Sequence, residues 1–145
     1  MSRGLCTFWL DGRCFGIDVG DVQEVVQSQR LTRVPLARPA VLGLLNLRGQ
    51  ILTALDLRRR IELGDRAAGD EPMHIVVRTE MGTVSLLVDR IGDVVEVTPE
   101  LFEAPPETLT GVARDVITGA YKLDGCLLLE LDTRRLLAGV ATGQS

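Results

Sequence analysis

Runs of apolar residues recur along this chain in pairs, and each pair is split by a turn signal. Cys6-Thr7-Phe8-Trp9-Leu10 and Arg13-Cys14-Phe15-Gly16-Ile17 flank Asp11-Gly12. Asp and Gly tolerate positive φ, so this junction favours a tight type I′ hairpin turn. The same arrangement sets Leu44-Leu45-Asn46-Leu47 against Gln50-Ile51-Leu52-Thr53-Ala54-Leu55 across Arg48-Gly49. It sets Ile75-Val76-Val77-Arg78-Thr79 against Thr83-Val84-Ser85-Leu86-Leu87-Val88 across Glu80-Met81-Gly82. The last pair is Ala120-Tyr121-Lys122-Leu123 and Cys126-Leu127-Leu128-Leu129-Glu130-Leu131, across Asp124-Gly125. Helices are expected only as single turns behind capping aspartates, at Asp56-Leu57-Arg58-Arg59-Arg60 and Asp132-Thr133-Arg134-Arg135-Leu136-Leu137. Pro35, Pro39, Pro99, Pro105 and Pro106 fall in connections, where a missing amide donor does no harm. Residues 64–72, polar and rich in small side chains, read as the one linker or long hairpin loop. The pattern is that of an all-β chain of short strands.

The pattern repeats. Val19-Gly20-Asp21-Val22-Gln23-Glu24-Val25 matches Ile91-Gly92-Asp93-Val94-Val95-Glu96-Val97 at an offset of 72, with five identities in seven. Leu31 and Pro35 match Leu101 and Pro105 at an offset of 70. Gly43, Gly49, Leu55-Asp56 and Arg58-Arg59 match Gly119, Gly125, Leu131-Asp132 and Arg134-Arg135 at an offset of 76. Each copy reads as about five strands ending in a short helix. A β unit of this size escapes open edges by closing into a small barrel. Two such barrels packed together bury what one small core cannot. The division this suggests is one domain over 1–145, with a first barrel at 5–68 and a second at 72–139.

The copies differ at one turn. The second has Asp124-Gly125, the choice of turn chemistry, where the first has Arg48-Gly49. An Arg at a loop tip, where nothing local requires it, points to recognition.

At 145 residues, 46% apolar and 25% charged, the chain suits one compact domain and not a disordered one. No apolar run approaches the roughly 18 residues that span a bilayer. The first residues lack the apolar stretch of a secretory signal, so a cytoplasmic location is expected. Cys6, Cys14 and Cys126 form no close sequence pair and read as buried free thiols. Residues 1–60 carry nine Arg against five acids, +4, and residues 61–145 carry seven Lys and Arg against fifteen acids, −8. A dipolar charge distribution of this kind suits docking to two different partners.

Catalytic chemistry is not signalled. The one histidine, His74, has no His or Cys at ligand spacing and enters a strand, which is a structural setting. No Gly-x-Ser-x-Gly element and no phosphate-cradling glycine loop is present. Asp21/Glu24 and Asp93/Glu96 recur in both copies, as a fold requirement would. No metal and no cofactor is expected. A nucleic-acid-binding barrel is the distant alternative. It needs a basic track with interleaved aromatics, whereas Phe8, Trp9 and Phe15 cluster in one hairpin and Phe102 and Tyr121 stand apart.

With these residues set out, the chain resembles the CheW-like domain family, adaptors of bacterial chemosensory arrays. The resemblance is carried by Phe15-Gly16-Ile17-Asp18, Val22-Gln23-Glu24-Val25, Thr32-Arg33-Val34-Pro35, Gly43-x-x-Asn46-Leu47-Arg48-Gly49 and Leu55-Asp56-Leu57-Arg58. In the second half it is carried by Val88-Asp89-Arg90-Ile91-Gly92-Asp93-Val94. It covers about residues 5–139. It departs from the family at Ile51-Leu52-Thr53-Ala54, where a proline is common.

The resemblance implies two five-stranded barrels of Src-homology type around a shared core, and a non-enzymatic role in chemotaxis signal transduction. Its partners would be the cytoplasmic tip of methyl-accepting receptors and the regulatory domain of the histidine kinase CheA, with no nucleic acid and no insertion into the membrane. Such a protein is cytoplasmic and reaches receptor arrays through its partners. The same domain also serves pathways controlling surface motility or second-messenger synthesis, the alternative output. Carried over by motif, receptor-binding residues would be Val22, Glu24, Gly43, Asn46, Arg48, Ile91 and Val94. Kinase-binding residues are not assigned by any short motif.

Overall fold

The structure is a computed structural model, and it describes residues 2–27, 30–32, 40–64, 71–80 and 82–138. Residues 33–35 of the family motif and most of the 64–72 linker lie outside the described residues.

Twelve strands form two sheets among the described residues. In chain order they are β1 (Arg3–Leu10), β2 (Arg13–Asp18), β3 (Val22–Val26), β4 (Leu31–Thr32), β5 (Val41–Leu47), β6 (Gln50–Asp56), β7 (Met73–Thr79), β8 (Gly82–Val88), β9 (Arg90–Val97), β10 (Phe102–Glu103), β11 (Ile117–Leu123) and β12 (Cys126–Leu131). Three short helices accompany them, α1 (Leu57–Arg60), α2 (Gly111–Val116) and α3 (Thr133–Leu137). One sheet has the order β10-β11-β12-β2-β1-β9, the other β3-β7-β8-β6-β5-β4. Each has five longer strands and one two-residue strand, in keeping with the expected pair of five-stranded barrels.

Chain reach shows that both sheets curl. β9 and β10 lie at opposite edges of their sheet but are joined only through residues 98–101. Six strands laid flat separate their edges by roughly 24 Å, and five residue steps reach at most about 18 Å. The link from β3 to β4 through residues 27–30 imposes the same closure on the other sheet.

The sheets do not follow the contiguous segments 5–68 and 72–139. The β1–β2 hairpin of the first copy sits among the strands of the second, and the β7–β8 hairpin sits among those of the first. β1 pairs antiparallel with β9, and β3 with β7; β2 runs parallel to β12, and β6 to β8. The connections cause the exchange. A single 3-10 turn, Val19–Asp21, carries the chain out of the first sheet, and Asp89 alone redirects it from β8 into β9. Because the copies are homologous, each hairpin fits the other copy's edge.

The core follows from this topology. Leu5, Cys14, Val97, Tyr121 and Leu128 form a cluster drawn only from the first sheet. Leu45, Leu47, Leu52 and Val76 form one drawn only from the second. The largest cluster, including Phe8, Phe15, Ile17, Leu55, Ile75, Leu86, Leu129 and Leu136, draws on both. Strands covered on both faces need continuous apolar runs, which is why Leu86-Leu87-Val88 is buried throughout.

The capping aspartates behave as expected. Asp56 Oδ1 accepts from the Arg58 amide at 3.0 Å, and Asp132 Oδ1 from the Arg135 amide at 3.0 Å. Arg60 of α1 donates from Nε to the Leu136 carbonyl at 2.7 Å, so the helix of one copy satisfies the end of the helix of the other. α2 is absent from the sequence reading. Its cap residue, Thr110, makes no side-chain capping bond, so the usual signal is missing.

Candidate functional site

The tip of the β5–β6 hairpin is built around two left-handed residues, Arg48 at φ 52° and Gly49 at φ 90°. This is the requirement of a type I′ turn, and Arg is a poor choice for it. Asn46 stabilises the turn by accepting the Gly49 amide at 2.9 Å. The Arg48 guanidinium pairs with the Glu24 carboxylate of β3 and stays 67% exposed. Gln23 contacts Glu24 at 3.4 Å and accepts from Arg78 at 2.9 Å. A polar row therefore runs from Arg78 through Gln23 and Glu24 to Arg48. With one face of the guanidinium on Glu24, its remaining donors point to solvent and can serve an incoming acceptor.

Val22 lies two residues from Glu24 on β3, but a register shift between them pairs Val22 with Val77 and Glu24 with Val76, neighbours on opposite faces of β7. It is half-buried and packs against the shared core, as does Ile91 of β9. Val94 is different: it is 59% exposed. It and Val19, also exposed, both stand beside Gly4, where an added Cβ would lie 3.0 Å from Val19 Cγ1 and 3.7 Å from Val94 Cγ1. The repeat relates Val19 to Ile91 and Val22 to Val94. One member of each related pair is turned toward the core and the other toward solvent. Val19 is absent from the sequence-derived site, although its place opposite Ile91 in the repeat was a usable signal. Gly43 is buried beside an irregularity in the β5–β6 pairing, so it shapes the hairpin and offers no exposed surface.

Two motif segments far apart in sequence meet at Arg58. Its Nε donates to both Asp89 carboxylate oxygens at 2.9 and 3.0 Å, and the side chains are 12% and 18% exposed. Asp89 also accepts the Asp11 amide at 2.9 Å. The bond to Asp89 raises the Arg58 pKa. This clamp ties α1, the β1–β2 turn and the β8–β9 junction together.

In the other copy the related Arg134 pairs with Glu80 at the surface. Nearby a cleft of about 770 Å³ is lined by Arg3, Asp18, Glu80, Glu130, Thr133 and Arg134, among others. Arg3 reaches Glu130 at 3.2 Å and Asp18 at 3.5 Å, and the bond to Glu130 raises its pKa. The cleft's arginines at 3 and 134 thus already face carboxylates. His74 does not line it. That residue is 1% exposed, with Nδ1 2.7 Å from Ser85 Oγ, the setting of a satisfied core histidine.

Phe8 and Phe15 stack at 6.1 Å inside the core, where no base could reach them. Tyr121 is also buried, which leaves no aromatic row for a nucleic-acid strand. Among the described residues no group of three His, Cys, Asp or Glu is arranged to hold a metal ion. No helix among them is long and apolar enough to cross a membrane.

The model of the CheW-like domain family matches residues 4–141. The chemotaxis protein CheW of Treponema pallidum is 30% identical over 138 residues, covering 92% of this chain and 81% of that one. The chemotaxis protein CheW of Bacillus subtilis is 31% identical over 136 residues, covering 92% and 85%. Among solved structures, the scaffolding protein TtCheW from Thermoanaerobacter tengcongensis superposes with a TM-score of 0.84 at 27% identity. That match covers 95% of this chain and 94% of that one.

Proposed function

The chain belongs to the family of CheW-like domains, and from that premise we propose how it works as a chemotaxis scaffold. The observation that carries this reading is the family match over residues 4–141. The chain joins partners and transforms nothing. One partner is the α-helical hairpin tip of a methyl-accepting receptor, and the other is the regulatory domain of a CheA-type histidine kinase. It works in the cytoplasm and reaches the membrane through the receptor.

Receptor recognition is of the helix-in-groove kind, with apolar anchors flanked by a charged clamp. Val94 and the neighbouring Val19 offer exposed apolar surface, and Val22 and Ile91 supply the wall behind it. Arg48, oriented by Glu24 and by the turn that Asn46 stabilises, offers charge-assisted hydrogen bonds. Gly43 acts through the shape of its hairpin. Two faces on one rigid body raise the local concentration of kinase at the receptor. Any control of the kinase further requires differential contact with its two states.

The test is affinity of the purified chain for a receptor-tip fragment and for a kinase regulatory domain, each measured alone. Micromolar or tighter binding to both supports the scaffold. Binding to neither overturns it.

A further inference from the structure

The two copies treat the arginine behind their capping aspartate differently. Arg58, behind Asp56, is held by Asp89 after β8 and lies 3.9 Å from Asp11 in the β1–β2 turn, with 12% of its side chain exposed. Hairpins β1–β2 and β7–β8 open the two copies, and β6–α1 and β12–α3 close them. The matching residues are therefore Arg134 behind Asp132, Asp18 at the end of β2, and Glu80 in the β7–β8 turn. In this copy the clamp does not close. Arg134 pairs with Glu80 while 78% exposed, and Asp18 meets Arg3 at 3.5 Å instead. All three matching residues line the open cleft of about 770 Å³.

The cleft is left with unspent negative charge. Three arginines line it against five carboxylates. Arg3 is held by Glu130, Arg134 by Glu80, and Arg78 donates to Gln23. The acids are not all matched in return. Asp18 accepts the Gly20 amide at 2.8 Å and has only its longer contact with Arg3 besides. Asp21, also in the lining, has no hydrogen-bond or ionic partner among the described residues. Thr133, another lining residue, is 6% exposed, and its hydroxyl is buried with no hydrogen-bond partner among the described residues. A buried hydroxyl left unpaired costs the fold stability that an occupant able to bond it would restore.

We propose that this cleft binds a guanidinium group, received by Asp18 and Asp21 as Arg58 is received by Asp89 and Asp11. The related copy shows what these carboxylate positions hold. A planar guanidinium meets a carboxylate through two parallel N–H donors, which a compact ammonium cannot do. The cleft is larger than one side chain and lies in the size range of ligand sites. The group therefore arrives either on an arginine within a peptide segment or on free arginine, and both present the same cation.

The experiment titrates the folded, isotope-labelled full chain with N-acetyl-arginine amide, with free L-arginine, and with N-acetyl-citrulline amide, which keeps the shape and loses the charge. Binding is read from the backbone amide shifts of Thr79, Asp132 and Thr133. The arginine amide should shift them saturably with a Kd of about 1 mM or tighter. The citrulline compound should bind at least about tenfold more weakly, the loss of a charge-assisted contact. Tighter binding of the amide than of free arginine supports the peptide source, and the reverse order supports the free amino acid. Asp21→Asn and Asp18→Asn should each weaken arginine binding about tenfold. Arg48→Ala, outside the lining, should leave it unchanged. If Asp18→Asn fails to fold for want of its contact with Arg3, Asp21→Asn decides, because Asp21 has no such contact to lose. Equal binding of the citrulline compound overturns the proposal. So does the absence of saturable shifts at millimolar concentration, or undiminished binding by Asp21→Asn.

Discussion

Arg58 and Asp89, 31 positions apart, form a two-point clamp with Nε 2.9 and 3.0 Å from the carboxylate oxygens. The clamp joins the end of one sheet to the strand junction that feeds the other. Breaking a largely buried pair leaves one charge uncompensated and costs about 3 kcal/mol. Arg58→Ala should therefore lower the denaturation midpoint strongly. Arg134→Ala should change stability by less than about 1 kcal/mol, because the Arg134–Glu80 pair is exposed. Chemical denaturation of the two variants side by side checks the contrast, and equal losses would refute it.

Arg48 occupies a left-handed conformation at φ 52°, so its identity costs the fold something. Arg48→Gly relieves that strain by about 1 kcal/mol and loses an exposed ion pair worth about as much or less. The variant should melt within a few degrees of wild type. Its affinity for a receptor tip should fall roughly 10- to 100-fold, the loss of a charge-assisted contact. Arg48→Ala should lose the same affinity, and melting curves beside binding isotherms test both.

Val22 and Val94 hold equivalent places in the repeat but opposite places in the fold. Val22→Lys puts a charge against the shared core and should cost about 2–4 kcal/mol. Val94→Lys changes an exposed position, so stability should move by no more than about 0.5 kcal/mol while receptor binding drops. A stable Val22→Lys chain would show that the core contact is dispensable.

Gly92 is needed for close approach. A Cβ there would stand 2.4 Å from Thr7 Oγ1, which donates to the Asp93 carbonyl at the β1–β9 irregularity. Gly92→Ala should destabilise by about 1–3 kcal/mol through overpacking. At the matching Gly20 the nearest atom is Asp18 Oδ1 at 3.1 Å, so Gly20→Ala should cost less. Thermal midpoints of the pair measure the difference.

Alkaline stability should carry the mark of Cys14. Its native pKa is about 12, against 9.0 for an ordinary thiol, with burial the main cause. Above pH 9 the unfolded chain gives up this proton while the folded chain keeps it, so stability falls as pH rises through that window. Below pH 9 the contribution is fully present. Cys14→Ala should flatten the decline in unfolding free energy between pH 9 and 11, and an unchanged slope would contradict it.

Much of this fold is written locally. Asp11-Gly12, Arg48-Gly49 and Asp124-Gly125 mark three hairpins, and Asp56 and Asp132 cap the helices they announce. The repeat announces two similar units. It leaves open which hairpin enters which sheet, because related edges are nearly equivalent partners. The choice lies in the short connections at Val19–Asp21 and Asp89. α2 escapes notice for want of a side-chain cap. At the candidate site, the oddity of Arg in the Arg48-Gly49 turn is legible. Its Glu24 partner is not, since that pair forms only when the sheet curls. Likewise alternation along β3 and β9 cannot distinguish Val22, against the core, from Val94, in solvent.

On the proposed function, one chain holds two proteins at once. The most direct measurement is sedimentation of a kinase regulatory domain with assembled receptor fragments, with and without this chain. The kinase domain should pellet only when the chain is present, and substituting Arg48→Ala should return most of it to the supernatant. Equal pelleting with and without the chain, or no pelleting in either case, would contradict the account.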